Sequence, residues 1–152
     1  MNKKQKSLTN KGFSLVELII VIAIMAVLVG VLAPQYIKYL DKSKISADTQ
    51  LADNVRNAIT NTLLDPAVTN SVPTNTDYAT LGNAPATADS KDFWQNVYEI
   101  LGESNKAGVI SNLKYDNTST GVDIQFKIDA NKKVSVQITG GKYTGDKLIE
   151  VK

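Results

Sequence analysis

The hydrophobic and polar positions of the chain follow three successive patterns, and the first is a long apolar run. From Phe13 to Ala33 the sequence is apolar at every position except Ser14 and Glu17. An α-helix of that length is roughly 30 Å long, which is enough to cross the hydrocarbon core of a bilayer. The first pattern therefore predicts a membrane-spanning helix with one carboxylate near its start.

The second pattern begins at Gln35, where apolar residues recur at helical spacing and predict an amphipathic continuation of the same helix. The stripe predicted to be buried consists of Ile37, Leu40, Ala47, Leu51, Val55, Ala58, Ile59 and Leu63. The helix is predicted to end at Asp65, because Pro66 pushes the residue before it out of helical geometry. Gly30 weakens the helix and Pro34 removes one of its hydrogen bonds, so a kink or a locally unwound stretch is predicted between them.

A stretch without periodicity and a short helix separate the second pattern from the third. Residues 66–91 are rich in Thr, Asn, Ala and Pro, and predict a loop region. A short helix is predicted over about 92–102, with Ser90 or Asp92 as its N-cap. Its apolar face includes Trp94, which is interpreted as a core residue.

The third pattern alternates with period two and predicts antiparallel strands. The segments Val122–Ile128 and Val134–Ile138 alternate apolar and polar residues, and residues 129–132 between them predict a hairpin turn. Leu148–Val151 predicts a third, short strand, and Ile110–Tyr115 predicts an edge strand. The expected fold class is α+β, in which a long N-terminal helix packs on a small antiparallel sheet.

The charge distribution indicates a membrane orientation and gives no sign of nucleic-acid binding. Four of the 17 basic residues, all Lys, precede Phe13, which leaves 13 basic and 15 acidic residues in the remainder. No long basic run exists outside those first residues, so no nucleic-acid partner is predicted. Lysines before an apolar span place its N-terminus in the cytoplasm.

Two absent residue types limit the chemistry available to the chain. There is no Cys, and therefore neither a disulfide nor a thiolate nucleophile, and there is no His. His is the commonest metal ligand and a frequent general acid or base. We therefore expect neither an enzyme nor a metal or other cofactor.

Two other interpretations of the N-terminal region compete with a processed membrane helix. An ordinary secretory signal is disfavoured, because Glu17 falls inside the apolar region and the best small-residue cut, after Ala33, would leave Pro34 at the cleavage site. An uncleaved signal anchor that holds a binding or enzymatic domain at the membrane stays open. It is distinguished by its N-terminus, which would retain the residues before Phe13.

The start of the apolar run resembles the type IV pilin family, which includes pilins and the pseudopilins of type II secretion and DNA uptake. The family pattern is a basic leader that ends in Gly, then Phe, a Ser or Thr, two apolar residues, Glu and a long apolar helix with a Pro. The matching residues here are Gly12, Phe13, Ser14, Leu15, Val16, Glu17, the apolar residues that follow, and Pro34. The close resemblance covers Lys11 to about Pro34.

The resemblance implies that a prepilin peptidase cleaves between Gly12 and Phe13 and methylates the new amine of Phe13. The implied parts are a cleaved leader over 1–12, a transmembrane and filament-core segment over 13–34, an amphipathic helix over 35–65, and a globular region over 66–152 with a β-meander at about 110–152. Glu17 would pair with the Phe13 amine of a neighbouring subunit during assembly. A carboxylate costs at least about 2.5 kcal/mol in the middle of a bilayer and somewhat less near its edge, so it normally has a partner. The alternative is that Glu17 only reaches out to the headgroups.

The implied function is that of a major pilin that polymerises into an extracellular type IV pilus for adhesion, surface motility or biofilm formation. The alternative within the family is a pseudopilin of a secretion or competence DNA-uptake system. The implied partners are further copies of the chain, the peptidase, the pilus assembly platform, minor pilins and, before assembly, the cytoplasmic membrane. Many pilins of Gram-negative bacteria carry a C-terminal disulfide, so the absence of Cys favours a pilin of Gram-positive type or a pseudopilin.

Overall fold

The computed structural model describes residues 12–84, 91–117 and 120–152. The chain divides into two compact units, Met1–Leu40 and Asp41–Lys152, which we call the N-terminal unit and the C-terminal unit. The predicted leader, apart from Gly12, and the possible N-cap Ser90 lie outside the described residues.

Helix α1 comprises Leu15–Leu64 and contributes to both units. It ends where the sequence predicts, directly before Asp65 and Pro66. Its buried residues all belong to the C-terminal unit and follow one helical stripe: Asp48, Ala52, Val55, Ala58, Ile59 and Thr62.

The observed stripe corrects the predicted one at both ends. Ile37, Leu40 and Ala47 are exposed, whereas Asp48 and Thr62 are buried. The prediction counted only apolar side chains, but a buried helix face also accepts polar groups whose hydrogen bonds are satisfied. The Thr62 hydroxyl donates to the carbonyl of Ala58 at 2.9 Å, and Asp48 accepts hydrogen bonds from the globular part of the chain.

Apart from α1, the described residues of the C-terminal unit form a four-stranded antiparallel sheet with two short helices and a 3-10 helix. The helices are α2, Phe93–Leu101, α3, Lys106–Ser111, and the 3-10 helix Gly145–Lys147; the strands are β1, Ala79–Thr80, β2, Val122–Ile128, β3, Val134–Gly140, and β4, Ile149–Val151. The strand order is β1-β2-β3-β4, with every neighbouring pair antiparallel. This confirms the predicted α+β class.

The sheet packs one face on helix α1, as the alternation of β2 predicts. Residues of β2 alternate between buried and half-buried, and Ile124 lies opposite Ile138 of β3. Both isoleucines belong to one core cluster with Val55 and Ile59 of α1. Each fully buried aliphatic side chain stabilises the fold by about 1.5–3 kcal/mol, so this core cluster contributes substantially to the stability of the C-terminal unit.

The predicted edge strand Ile110–Tyr115 is wrong. Helix α3 begins after Asn105, whose side chain accepts the Gly108 N–H at 3.0 Å, and it extends to Ser111. The N–H groups of Lys114 and Tyr115, which a strand would use for pairing, donate instead to the buried carboxylate of Asp48 at 2.6 and 2.8 Å. The sheet therefore gains no edge strand from this segment.

The loop prediction for residues 66–91 missed strand β1, which pairs Ala79 with Phe126 and Thr80 with Gln125 of β2. A strand of two residues has no alternation to detect, so only its partner defines it. The short helix predicted at about 92–102 is observed as α2. Asp92 is its N-cap, since its Oδ1 accepts the Trp94 N–H at 2.9 Å.

Trp94 is a core residue, in agreement with the sequence interpretation. It is 8% exposed and makes edge-to-face contacts with Phe93 and Phe126, with ring centroids 5.2 and 5.1 Å apart. Gly82 makes room for the indole, because a Cβ there would lie 2.1 Å from Trp94 Nε1. The Tyr98 hydroxyl donates to the Gly82 carbonyl at 2.6 Å, and its burial raises the pKa of Tyr98 well above the ordinary range.

Candidate functional site

The start of helix α1 is the candidate functional site, because the predicted processing residues lie just before its first turn. Gly12, Phe13 and Ser14 have no regular secondary structure and precede the first helical residue. Phe13 is 93% exposed, and Gly12 is exposed with no atom within 4 Å of the position of a Cβ. The residues on both sides of the Gly12–Phe13 peptide bond are therefore exposed.

Glu17 lies in the first turn of α1 and caps it. Its Oε2 accepts the Ser14 N–H at 2.9 Å, while the Ser14 carbonyl accepts the Leu18 N–H at 3.2 Å. This is the acidic half of a capping box, and a negative charge at a helix N-terminus is also favoured by the helix dipole. The signal for this cap in the sequence is the Ser-x-x-Glu spacing.

The structure brings Gly12, Phe13, Ser14 and Glu17 together around one shallow surface pocket. A carboxylate offers about four acceptor positions, and the Ser14 amide occupies one of them. Within the described part of the chain no further hydrogen bond to Glu17 is observed. The carboxylate therefore has capacity for a second partner without losing its cap.

The surroundings of this carboxylate are apolar and uncovered. Every described residue of the N-terminal unit is exposed, including the long aliphatic run that follows Glu17. Among the described residues, α1 is the one helix that is long and apolar enough to cross a membrane. Once lipid or protein covers this apolar surface, pairing with an opposite charge strongly stabilises the Glu17 carboxylate.

Gly30 and Pro34 lie farther along α1 and take no part in this pocket. The helix continues through both residues without interruption. The alternative of a locally unwound stretch is therefore wrong. A kink there stays a prediction, as do the cleavage, methylation and pairing roles of Gly12, Phe13 and Glu17.

Within residues 12–84, 91–117 and 120–152 no group of three or more Asp or Glu residues is placed to hold a metal ion. The charged pairs of the C-terminal unit lie at its surface. Lys106 contacts Asp123 at 3.2 Å, and Lys152 contacts Glu150 at 3.3 Å.

Comparison with known proteins matches the same N-terminal region. A family model described as "prokaryotic N-terminal methylation motif" matches residues 8–33. No solved structure gives a significant match to the chain.

Three curated relatives extend the similarity into the C-terminal unit. A type IV major fimbrial protein of Dichelobacter nodosus is 28% identical over 144 residues, which is 88% of this chain and 84% of the relative. A fimbrial protein of Moraxella nonliquefaciens is 30% identical over 124 residues, 74% of this chain and 69% of the relative. A prepilin peptidase-dependent protein of Clostridium perfringens is 28% identical over 127 residues, 84% of each chain.

Proposed function

The chain belongs to the type IV pilin family, and we propose that it is the major subunit of an extracellular type IV pilus used in adhesion, surface motility or biofilm formation. The family consists of structural subunits, so the chain is not an enzyme. The observation that carries the proposal is that the apolar first part of α1, which lies in the N-terminal unit, is exposed throughout and begins at a pilin-type processing motif. Relatives named as fimbrial proteins support the choice of a pilus subunit.

Processing is the first step of the proposed function. A prepilin peptidase cuts between Gly12 and Phe13 and methylates the new amine of Phe13. The exposure of both residues supports access by the enzyme. A relative named as a prepilin peptidase-dependent protein supports the need for such a cut.

Before assembly the subunit spans the cytoplasmic membrane with its N-terminus inside. The exposed apolar part of α1 is long enough for one crossing, and the lysines before Phe13 set the orientation. The assembly platform then transfers subunits into the filament, together with minor pilins. The apolar surface that lipid covers in the membrane is covered by other copies in the filament.

Glu17 sets the register of this transfer. Cleavage turns the Phe13 amide into a cationic amine, and the carboxylate of Glu17 on a neighbouring copy can bind it. Two opposite charges attract strongly in a low-dielectric interior, and removal of one partner leaves the other charge buried and unpaired. A correctly docked subunit therefore satisfies both charges, and a misplaced one satisfies neither.

The test compares Glu17→Ala, Glu17→Gln and the native chain in the native host. Glu99→Ala serves as the matched control, because it removes an exposed carboxylate from α2. The intact mass and N-terminal sequence are measured for the membrane fraction and for filaments sheared from the cell surface. The native chain should start at Phe13 with one added methyl group and be abundant in the sheared fraction.

We expect both Glu17 variants to be cleaved but to leave few or no filaments, and the control to behave as the native chain does. Normal filaments from Glu17→Ala would contradict the role of Glu17 in register but would leave the filament proposal intact. A native chain that is processed but confined to the membrane would indicate a pseudopilin or minor subunit. An intact leader, or a cut after Ala33, would overturn the filament proposal.

A further inference from the structure

A groove lies on the C-terminal unit, between α1 and the segment that carries α2 and α3. The packing of the unit does not explain why asparagines line this groove. Its cavity volume is about 290 Å³. The side chains that matter for its chemistry are those of Asn54, Asn57, Asn61, Ile100, Glu103 and Asn112.

Three of these asparagines form a stripe on α1. Asn54, Asn57 and Asn61 stand three and four residues apart, so they share one helix face. All three are exposed, and in the part of the chain that the structure describes none of their side-chain amides makes a hydrogen bond. By contrast, the amide of Asn75 donates to the carbonyls of Asp77 and Phe126 at 3.1 and 3.2 Å.

Asparagine is a poor choice for an exposed helix position if only helix stability matters. It lies well below Ala, Lys, Gln and Glu in helix propensity, because its amide competes with the backbone for hydrogen bonds. Three such residues on one face reduce the stability of α1, and within the described residues no hydrogen bond of their amides compensates for this loss. A ligand that uses their amides accounts for the arrangement.

The opposite wall holds a carboxylate in a fixed position. Asn112 Nδ2 donates to Glu103 Oε1 at 2.5 Å, and the Glu103 N–H donates to the Tyr98 carbonyl at 2.9 Å. Gly108 leaves room for this carboxylate, since a Cβ there would lie 2.2 Å from Glu103 Oε2. The acceptor on this wall is therefore positioned before any ligand arrives.

The lining indicates the chemical class of the ligand. It contains no Lys or Arg, so it does not suit a phosphate or other anion. Each Asn side chain offers both donors and an acceptor, which complements hydroxyl groups that also do both. Ile100 is 54% exposed and adds an apolar surface for the C–H faces of a ring.

We infer that this groove binds a neutral saccharide through Asn54, Asn57, Asn61 and Glu103. Small-molecule sites usually measure about 300–1,000 Å³, so a groove at the lower end of that range fits one or two sugar rings. The inference goes beyond the proposed pilus function and does not depend on assembly.

The test uses the isotope-labelled full-length chain in phosphocholine micelles, which carry no sugar head group. Maltose, cellobiose and N,N′-diacetylchitobiose are the probes, and the side-chain amide signals of Asn54, Asn57 and Asn61 are followed by NMR. We expect at least one probe to shift these signals with a Kd on the order of 1 mM.

The double variant Asn57→Ala with Asn61→Ala should weaken that binding at least about tenfold, which corresponds to about 1.4 kcal/mol. Asn131→Ala is the matched control, since it removes an exposed amide from the turn between β2 and β3, outside the groove, and it should bind as the native chain does. Unchanged Trp94 fluorescence in each variant shows that the C-terminal unit remains folded.

The inference is overturned if none of the three disaccharides shifts the groove amides, or if the double variant binds as tightly as the native chain. It is also overturned if the double variant loses sheared filaments while saccharide binding is absent from the native chain. That result would assign the groove to contacts with a second copy of the chain. Because binding is measured before assembly, failure here leaves the pilus proposal untouched.

Discussion

The N-terminal and C-terminal units differ in where their apolar side chains are covered, although helix α1 contributes to both. In the N-terminal unit every described side chain is exposed, and in the C-terminal unit Val55 and Ile59 of the same helix are fully buried. The distribution of apolar residues explains the difference, since the first half of α1 is apolar on all sides and the second half on one. The C-terminal unit is therefore stabilised by its own core, and the N-terminal unit depends on lipid or on other copies.

The C-terminal unit also contains a buried polar network, which has no counterpart among the described residues of the N-terminal unit. Asp48 of α1 accepts hydrogen bonds from the N–H groups of Lys114 and Tyr115 and from the Tyr143 hydroxyl, the last at 2.8 Å. The same hydroxyl accepts the Asp116 N–H at 3.1 Å. These hydrogen bonds hold the segments around Lys114 and Tyr143 against α1. Hydrogen-bond geometry therefore specifies the fold of this unit together with the burial of apolar side chains.

The largest expected effect on the free energy of unfolding is that of an isoleucine-to-alanine substitution in the C-terminal unit, compared with the same substitution in the N-terminal unit. Ile59→Ala should lower the free energy of unfolding of the C-terminal unit by about 4 kcal/mol, because it leaves a cavity in a packed core. Ile24→Ala, at an exposed position of α1, should change it by less than about 0.5 kcal/mol. Urea unfolding of the full-length chain in micelles measures the free energy of unfolding of both variants. The unfolding is followed by the fluorescence of Trp94, the single tryptophan of the chain. Equal effects would contradict the division into two units.

The second prediction concerns the buried network. Asp48→Ala should lower the free energy of unfolding by about 3 kcal/mol, since it leaves buried donors without an acceptor. Asp53→Ala is the matched control on the same helix. It removes a surface ion pair with Arg56 at 3.2 Å, which should contribute less than about 1 kcal/mol. The same unfolding assay applies, and a control as damaging as Asp48→Ala would argue against a special role for the network.

The third prediction uses alkaline pH. Burial raises the pKa of Tyr143 above its ordinary value of 10.0, although the hydrogen bond from the Asp116 N–H acts in the opposite direction. A raised folded pKa contributes stability that is fully present below about pH 10 and is lost as the pH rises through the folded pKa. The C-terminal unit should therefore lose stability in alkaline solution, and unfolding midpoints measured across this range show the loss.

Tyr143→Phe should cost about 1–2 kcal/mol at neutral pH, because Asp48 and the Asp116 N–H each lose a partner. It should also reduce the alkaline loss, since one buried phenol no longer ionises. Tyr36→Phe, in the exposed N-terminal unit, should leave both quantities unchanged. An alkaline loss that is identical in Tyr143→Phe and the native chain would contradict the prediction.

The smallest expected effect is at the sheet surface. The Tyr78 hydroxyl donates to Glu150 Oε1 at 2.8 Å and lowers the pKa of Glu150, with a further contribution from Lys152. A lowered folded pKa gives stability that is present above about pH 4.5 and is lost as the pH falls. Because Glu150 is solvent-exposed, Glu150→Gln should cost less than about 1 kcal/mol and weaken the loss in acid. Acid unfolding followed at two salt concentrations tests this, and a larger effect at high salt would contradict it.

Local signals in the sequence were sufficient for the existence and type of the elements with regular periodicity. Their ends were less exact, since β3 continues beyond the predicted Ile138 to Gly140 and β4 begins at Ile149 rather than at Leu148. The alternation in β2 and β3 and the turn at 129–132 needed no knowledge of partners, and the Asp129 N–H bonds to the Lys133 carbonyl at 3.0 Å across that turn. Asp92 was one of two cap candidates, with Ser90, from its position before an apolar run, and the structure identifies it as the cap. At the candidate site the sequence supplied every residue, and the structure added the hydrogen bond between Ser14 and Glu17.

What the sequence could not supply are the features defined by residues far apart in the chain. Strand β1 exists because β2 offers it free backbone groups, and the segment after α3 is no strand because Asp48 takes its N–H groups. Neither relation leaves a periodic trace, since each depends on one long-range partner. The sequence by itself determined that this chain has an apolar helix with a processing motif and a sheet-bearing globular unit. Only the tertiary structure decided that a carboxylate is buried at Asp48 and that three asparagines of α1 line one groove, because burial and convergence depend on contacts between distant residues.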